Sequence, residues 1–269
     1  MRIRKLLRVR FVVDPFTEQE KIMAELTPMM QKYMETKEQY KDCILFYRLG
    51  DFYEMFFDDA LVASKELEIT LTGKSCGLEE RAPMCGIPYH AYLSKLVSRG
   101  YKVAICEQVE DPKLAKGLVK REVIRVVTPG TNLNVQSLEA GKNNYLLSIA
   151  YTPDGIGISA ADVTTGDYYV TEVEDLKKLN DELMKYEPSE IICNEAFLVS
   201  GFDVNDLKTR LHISVNALES HMFDDNGCRR ILMKHFKVNT LIGLGVEEFP
   251  TGLLAAGALL QYLYDTQKT

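Results

Sequence analysis

The side chains best suited to chemistry lie in residues 50–54, which read Gly-Asp-Phe-Tyr-Glu. Phe52 follows an apolar run at residues 43–49, and Glu54 comes two positions after it. A large aromatic ring can stack on nucleic-acid bases, and a neighbouring carboxylate can accept hydrogen bonds from their edges. Phe52 and Glu54 therefore have the residue types and the spacing that a base-stacking probe needs.

The element that must position this pair is predicted as a helix over residues 52–66. Apolar and small residues recur there at three- and four-residue steps, which is typical of an amphipathic helix. The stripe consists of Tyr53, Phe56, Phe57, Ala60, Leu61, Ser64 and Leu67. In an alternative interpretation, Asp51 is the N-cap of this helix, Glu54 completes a capping box and Phe52 packs against a loop. Spacing alone leaves both interpretations open.

Composition favours a cytoplasmic protein with two packed domains. The chain has 269 residues, 46% of them hydrophobic, and no apolar run of the length that a membrane span needs. Its six cysteines include no Cys-x-x-Cys pair, which predicts buried, reduced thiols. His221, Cys228 and His235 have no recognised ligand spacing, so we predict no metal site.

Charge is divided unevenly along the chain. Residues 1–140 hold 21 Lys and Arg against 20 Asp and Glu, whereas residues 141–269 hold 11 against 19. A basic run in the first half has two interpretations, a strip that lies along phosphates or a solvated surface. The run comprises Lys113, Lys116, Lys120, Arg121 and Arg125. The acidic second half is better suited to protein contacts than to DNA.

Alternating strand and helix patterns predict an α/β protein with two domains. We expect a disordered extension at residues 1–22, a first domain at 23–128, a linker at 129–144 and a second domain at 145–269. The predicted helices are 27–39, 52–66, 92–98, 176–185, 227–236 and 252–264. The predicted strands are 43–47, 69–72, 102–107, 122–127, 145–150, 156–163, 168–173 and 190–193. A polar loop is expected at 73–81, and strands 145–173 form a three-strand meander.

Several segments together resemble the bacterial DNA mismatch repair protein family MutS. The Gly-Asp-Phe-Tyr-Glu sequence and the Phe-x-Asp-Asp-Ala pattern after it are similar to the family's mismatch-recognition motif. Further similar segments occur in family order at residues 23–31, 83–91, 103–108, 126–131 and 255–262. The resemblance covers nearly everything after Met23. It implies a mixed α/β mismatch-recognition domain followed by a ribonuclease-H-like connector domain.

The resemblance implies that Phe52 is a wedge inserted at mispaired or unpaired bases of duplex DNA and that Glu54 hydrogen-bonds the mispaired base. A contact from Glu54 to an acceptor such as purine N7 requires the protonated carboxyl. By position against the family pattern, further DNA contacts are expected from Leu49, Asp51, Lys74, Lys116 and Arg121. These would touch the DNA backbone, which positions the protein without specifying sequence.

No catalytic residues are expected. A ribonuclease-H-like domain invites a nuclease hypothesis, but Asp162 has no apparent carboxylate partners for two metals and is predicted to face solvent. The sequence has no Gly-x-x-x-x-Gly-Lys-Ser/Thr phosphate loop. The resemblance therefore implies an amino-terminal fragment without cofactor, with the ATPase domain and its ATP and Mg beyond Thr269. It also implies a homodimeric parent and a MutL-like partner docked on the connector domain. The alternative is a partner-docking or inert fragment whose DNA binding requires clamp domains elsewhere.

Overall fold

A computed structural model describes residue 23, residues 25–88, 92–111, 115, 117–133 and 142–268. The predictions for residues 1–22 and Lys116 lie outside these residues. The elements of the first domain are α1 (Pro28–Gln39), β1 (Cys43–Leu49), β2 (Phe52–Phe56), α2 (Phe57–Leu67), β3 (Thr72–Lys74), β4 (Ala82–Pro88), α3 (Leu93–Val97), β5 (Lys102–Gln108) and β6 (Arg121–Val127).

These strands form one mixed sheet in the order β3-β4-β2-β1-β5-β6. Strand β1 lies at its centre, antiparallel to β2 and parallel to β5. Because successive side chains of a strand point to opposite faces, the sheet buries one apolar cluster on each face. One cluster includes Phe46, Tyr53 and Met55, and the other includes Leu45 and Phe56.

The predicted helix over residues 52–66 is wrong in its first five residues. Residues Phe52–Phe56 form a strand paired with both β1 and β4, and the helix begins at Phe57. The three- and four-residue steps arose because Tyr53 and Phe56 are buried on opposite faces of the sheet. The capping box is wrong for the same reason, since Glu54 lies within a strand and not in a first helical turn.

The predicted strand at residues 69–72 is also displaced. Strand β3 begins at Thr72 and includes the residue pair Gly73 and Lys74, which we expected in a loop. Strand β4 was missed, because prolines at positions 83 and 88 and Gly86 read as turn residues. The helices near residues 27–39 and 92–98 and the strands near 43–47, 102–107 and 122–127 are present with shifted ends.

The second domain contains β7 (Tyr145–Thr152), β8 (Gly155–Asp162), β9 (Asp167–Val173), α4 (Leu176–Tyr186), β10 (Glu190–Cys193), α5 (Glu195–Leu198), α6 (Val204–Thr209), β11 (Ser214–Ala217), α7 (Asp225–Phe236) and α8 (Pro250–Gln267). Its sheet order is β11-β10-β7-β8-β9, with the β7–β9 meander antiparallel and β10 and β11 parallel to β7. This is the arrangement of a ribonuclease-H-like sheet, so the predicted fold class is confirmed. Elements α5, α6 and β11 were not predicted.

Helix α8 joins the two domains by packing over β7, β8 and β9 of the second sheet and against β6, the edge strand of the first. Its first turn lies close against β8, where Gly157 faces Thr251. Farther along, the Tyr262 hydroxyl donates to Glu190 Oε1 at 2.7 Å. The ammonium of Lys102, a residue of the first domain, lies 5.9 Å from the centroid of the Tyr262 ring. No helix in the described part of the chain is long and apolar enough to cross a membrane.

Candidate nucleic-acid interface

A tight hairpin positions Phe52 at the end of the first sheet. Strands β1 and β2 are connected by Gly50 and Asp51, and Leu49 pairs with Phe52 across the turn. Gly50 has φ +61°, and a glycine with positive φ at the first position is the pattern of a II′ hairpin turn. Phe52 is 48% exposed, although it is a large aromatic in a paired strand. The turn thus holds a half-exposed apolar ring at the start of a regular β-strand.

Phe52 and Glu54 lie side by side on one face of the sheet because they are two positions apart in β2. Across β4, the residue opposite Glu54 is Gly86. A Cβ atom at Gly86 would lie 3.8 Å from the Phe52 ring and 3.7 Å from Glu54 Cγ. Because Gly86 has no side chain, the space between the Phe52 ring and the Glu54 carboxylate stays open on that side. The structure therefore brings the two predicted probe residues together.

Lys74 reaches this carboxylate from the edge strand β3. Its Nζ lies 2.5 Å from Glu54 Oε2 and 5.6 Å from the centroid of the Phe56 ring. The Glu54 side chain is 16% exposed and that of Lys74 is 34% exposed. The pair is therefore more shielded from water than a typical surface ion pair. Sequence reasoning selected both residues but missed this contact, because it depends on the order β3-β4-β2.

A buried polar cluster behind the hairpin fixes the point where β2 becomes α2. Asp59 Oδ2 accepts the Leu45 N–H at 2.9 Å, and Oδ1 lies 2.8 Å from Lys37 Nζ. The Tyr33 hydroxyl donates to Asp59 at 3.2 Å and accepts the Phe56 N–H at 3.3 Å. Burial, and then the charge of Asp59, raise the pKa of Tyr33, which keeps the hydroxyl protonated. The cluster thus satisfies backbone groups at the point where β2 gives way to the helix.

The other predicted DNA contacts have mixed positions. Leu49 is half-buried beside Phe52, and Asp51 is exposed in the turn. Arg121 is half-buried over the Tyr47 ring, with its Cζ 5.3 Å from the centroid. Its Nε donates to the Arg48 carbonyl at 2.7 Å, so this guanidinium ties β6 to β1. Whether these residues contact DNA stays a prediction.

The basic run does not present one continuous cationic surface in its described part. Lys120 Nζ lies 2.6 Å from Glu122 in an exposed ion pair. Arg125 is half-buried and donates to the Thr131 carbonyl at 3.0 Å, and burial lowers the pKa of its guanidinium. Arg121 is engaged as described above, whereas Lys113 and Lys116 lie outside the described residues. The described part of the run therefore contributes separate cations and not a continuous strip.

The prediction that Asp162 faces solvent is wrong. Asp162 is 1% exposed, and its carboxylate accepts hydrogen bonds from Thr164 N–H at 2.8 Å and from Asn144 N–H at 3.0 Å. Further donors are the Thr164 hydroxyl at 2.6 Å and Asn143 Nδ2 at 2.9 Å. Among the described residues, no three His, Cys, Asp or Glu side chains lie close enough to hold a metal. All six cysteines are buried free thiols.

Comparison with known proteins places both domains in one family. Residues 27–136 match the family model described as MutS domain I, and residues 144–269 match MutS domain II. The chain therefore belongs to the MutS family, as the sequence motifs predicted. The exact domain boundaries given above stay predictions.

Curated relatives bear the name DNA mismatch repair protein MutS. Those from Lachnoclostridium phytofermentans, Ruminiclostridium cellulolyticum and Acetivibrio thermocellus are 67%, 53% and 54% identical over 249, 252 and 254 residues. Each alignment covers 91% of this chain but only 27%, 28% and 29% of the respective relative. The chain thus corresponds to the amino-terminal domains of these proteins and spans less than a third of their length.

Proposed function

We propose that this chain recognises mispaired or unpaired bases in duplex DNA, with Phe52 as an aromatic wedge and Glu54 as the contact to the mispaired base. The observation that carries the proposal is the 48% exposure of Phe52 at the start of a strand that is paired on both sides. A ring held in this way can enter a base step without first leaving a protein core. Membership of the MutS family supports the same function.

The mechanism follows from the cost of deforming DNA. Opening a base step to admit an apolar ring costs about a few kcal/mol of unstacking, and less where pairing is already defective. The wedge therefore selects sites by deformability and not by sequence. Glu54 lies on the same face as Phe52, so its carboxyl accompanies the ring to the base edge. Its negative charge disfavours intact duplex, where it finds no matching donor.

We further propose that the second domain docks a MutL-like protein partner. Residues 141–269 hold 11 Lys and Arg against 19 Asp and Glu, a balance that repels phosphate and suits protein contacts. A complete MutS protein would act as a homodimer and carry its ATP and Mg in a separate ATPase domain. Its site of action would be the cytoplasm, where six buried free thiols are stable.

Replacing Phe52 with alanine in the complete protein tests the wedge. We expect Phe52→Ala to abolish the preference for mismatched over matched duplex, measured by gel shift, while thermal stability is unchanged. Leu61→Ala is the matched control, since Leu61 is also an apolar side chain of the first domain and is 46% exposed. Normal discrimination by a well-folded Phe52→Ala protein would contradict the wedge assignment.

A further inference from the structure

We propose that Lys74 is a specificity-determining residue that holds Glu54 in an ion pair until a mispaired base replaces it. The inference deepens the proposed function and rests on it. It assigns Lys74 a role different from the backbone contact that its position in the sequence suggested. In this role the lysine acts on DNA recognition through the carboxylate of Glu54.

The geometry favours a contact to Glu54 over a lysine extended toward solvent. Lys74 Nζ passes over the Phe56 ring, 5.6 Å from its centroid, and ends 2.5 Å from Glu54 Oε2. The ring shields the ammonium from one side, and the carboxylate is only 16% exposed. Both effects strengthen the attraction between the two charges relative to an exposed pair. The side chain therefore spans β4 to bind the residue that is proposed to meet the base.

The ion pair affects the free, matched and mismatched states differently. In the free chain, Lys74 neutralises a carboxylate that would otherwise be partly desolvated without a counter-charge. Against intact duplex, the lysine offsets the repulsion between Glu54 and the phosphates. At a mismatch, Glu54 turns to the base and the ion pair must break. The cost of breaking it lowers the affinity for the mismatched duplex. Lys74 thus weakens the discrimination that Glu54 alone would give.

A lysine that only contacts a phosphate predicts another pattern. Such a contact adds affinity to matched and mismatched duplex alike, and its loss reduces the slope of log affinity against log salt by about 0.9. The loss would be the same whether or not Glu54 carried a charge. The two roles are therefore separated by the coupling between the two side chains.

A double-mutant cycle in the complete protein measures that coupling. The variants are Lys74→Met, Glu54→Gln and their combination, and the readout is the ratio of mismatched to matched duplex affinity. We expect Lys74→Met to raise this ratio by roughly threefold or more, because the bare carboxylate repels matched duplex more strongly. In the Glu54→Gln background, the same change should leave the ratio unaltered. Equal loss on both duplexes in both backgrounds would overturn the proposal.

Two controls sharpen the cycle. Lys74→Arg keeps the charge and should restore a ratio close to that of the wild type. Lys95→Met removes a lysine that lies 3.5 Å from Glu68 in the same domain, in a pair whose carboxylate is 77% exposed. It should leave the ratio unchanged in both backgrounds. A rise in the ratio with Lys95→Met as large as with Lys74→Met would show a general charge effect and overturn the specific role.

A measurement without DNA separates this inference from the proposed function. Thermal unfolding of the same four proteins should show non-additive effects of Lys74→Met and Glu54→Gln, since the two side chains contact each other. Additive effects would show that the two side chains do not form an ion pair. That result would overturn the inference, whatever the protein does with DNA. A different outcome would be non-additive effects on unfolding in a protein whose wild type shows no preference for mismatched duplex. That outcome would refute the proposed function and, with it, the role of Lys74 in specificity.

Discussion

Replacing the buried Glu190 with glutamine should loosen the junction between the two domains. The carboxylate is fully buried, and Oε2 accepts the Gly130 N–H at 3.0 Å, at the point where the chain leaves the first domain. Oε1 accepts the Tyr262 hydroxyl of α8 at 2.7 Å and Asn216 Nδ2 at 3.2 Å. Burial, and then the charge of Glu190, raise the pKa of Tyr262, so this hydroxyl stays a donor. One side chain thus connects the linker, the closing helix and the second sheet.

The expected magnitude follows from counting these donors. In Glu190→Gln the new amide puts N–H groups where Oε2 accepted the Gly130 N–H, so that donor loses its partner. An orphaned buried donor costs about 1–3 kcal/mol, and bonds to a charged acceptor lie at the upper end of net hydrogen-bond strengths. Relief of the desolvated charge offsets part of this loss. We therefore expect a loss of about 1–3 kcal/mol in the free energy of unfolding.

Urea unfolding of the chain, followed by fluorescence and circular dichroism, measures this loss. Separation of one transition into two would show that the domains have lost their coupling. Glu187→Gln is the matched control, because Glu187 lies three residues earlier and its exposed side chain pairs with Lys142 at 2.9 Å. Exposed pairs contribute about 0–1 kcal/mol. An equal effect of the two substitutions would refute the role given to the buried carboxylate.

Two further substitutions test the second domain. Gly157→Ala should lower the free energy of unfolding by about 1–3 kcal/mol or more, because a Cβ atom there would lie 2.0 Å from the Thr251 carbonyl oxygen. Gly243→Ala is the control, since a Cβ atom there meets no atom within 4 Å, and it should change the free energy of unfolding by no more than about 0.5 kcal/mol. Burial acts to raise the pKa of Asp162, but hydrogen bonds from Thr164, Asn144 and Asn143 outweigh it and the pKa is lowered. The ionised Asp162 carboxylate therefore stabilises the fold above the unfolded pKa of about 3.9, and this stabilisation is lost as the pH falls through the folded pKa. The difference in unfolding free energy between the wild type and Asp162→Asn should therefore shrink on acidification. A pH-independent difference would contradict this assignment.

The sequence predicted well those elements whose pattern is local. The β7–β9 meander has turn residues between apolar runs, and α8 is a long apolar segment whose predicted range, 252–264, lies within the observed Pro250–Gln267. Strand β10 was predicted with its observed ends, Glu190–Cys193. In each case, the apolar pattern and the turn residues within the segment itself indicate the element.

Predictions failed where distant residues decide the outcome. The segment Phe52–Phe56 becomes a strand because β1 and β4 lie on either side of it, and neither partner is visible in its own periodicity. Asp162 is buried, and its carboxylate is satisfied partly by donors from Asn143 and Asn144, which lie 19 and 18 residues earlier in the chain. The Lys74–Glu54 contact crosses an intervening strand that the sequence did not reveal. Residue types selected the candidate site residues, but the pairing of strands determined which of these side chains meet.

The strand that replaces the predicted helix strengthens the physical case for a wedge. Along β2, Phe52 is exposed while Tyr53 and Met55 are fully buried, so the pleat itself sets the direction of the ring. To yield, β2 would have to break its pairing with two strands and withdraw three large side chains, Tyr53, Met55 and Phe56, from the buried clusters. The ring itself has few rotatable bonds and loses little entropy on insertion. In the proposed wedge mechanism the DNA is therefore the softer partner, and differences in its deformability would become differences in binding affinity.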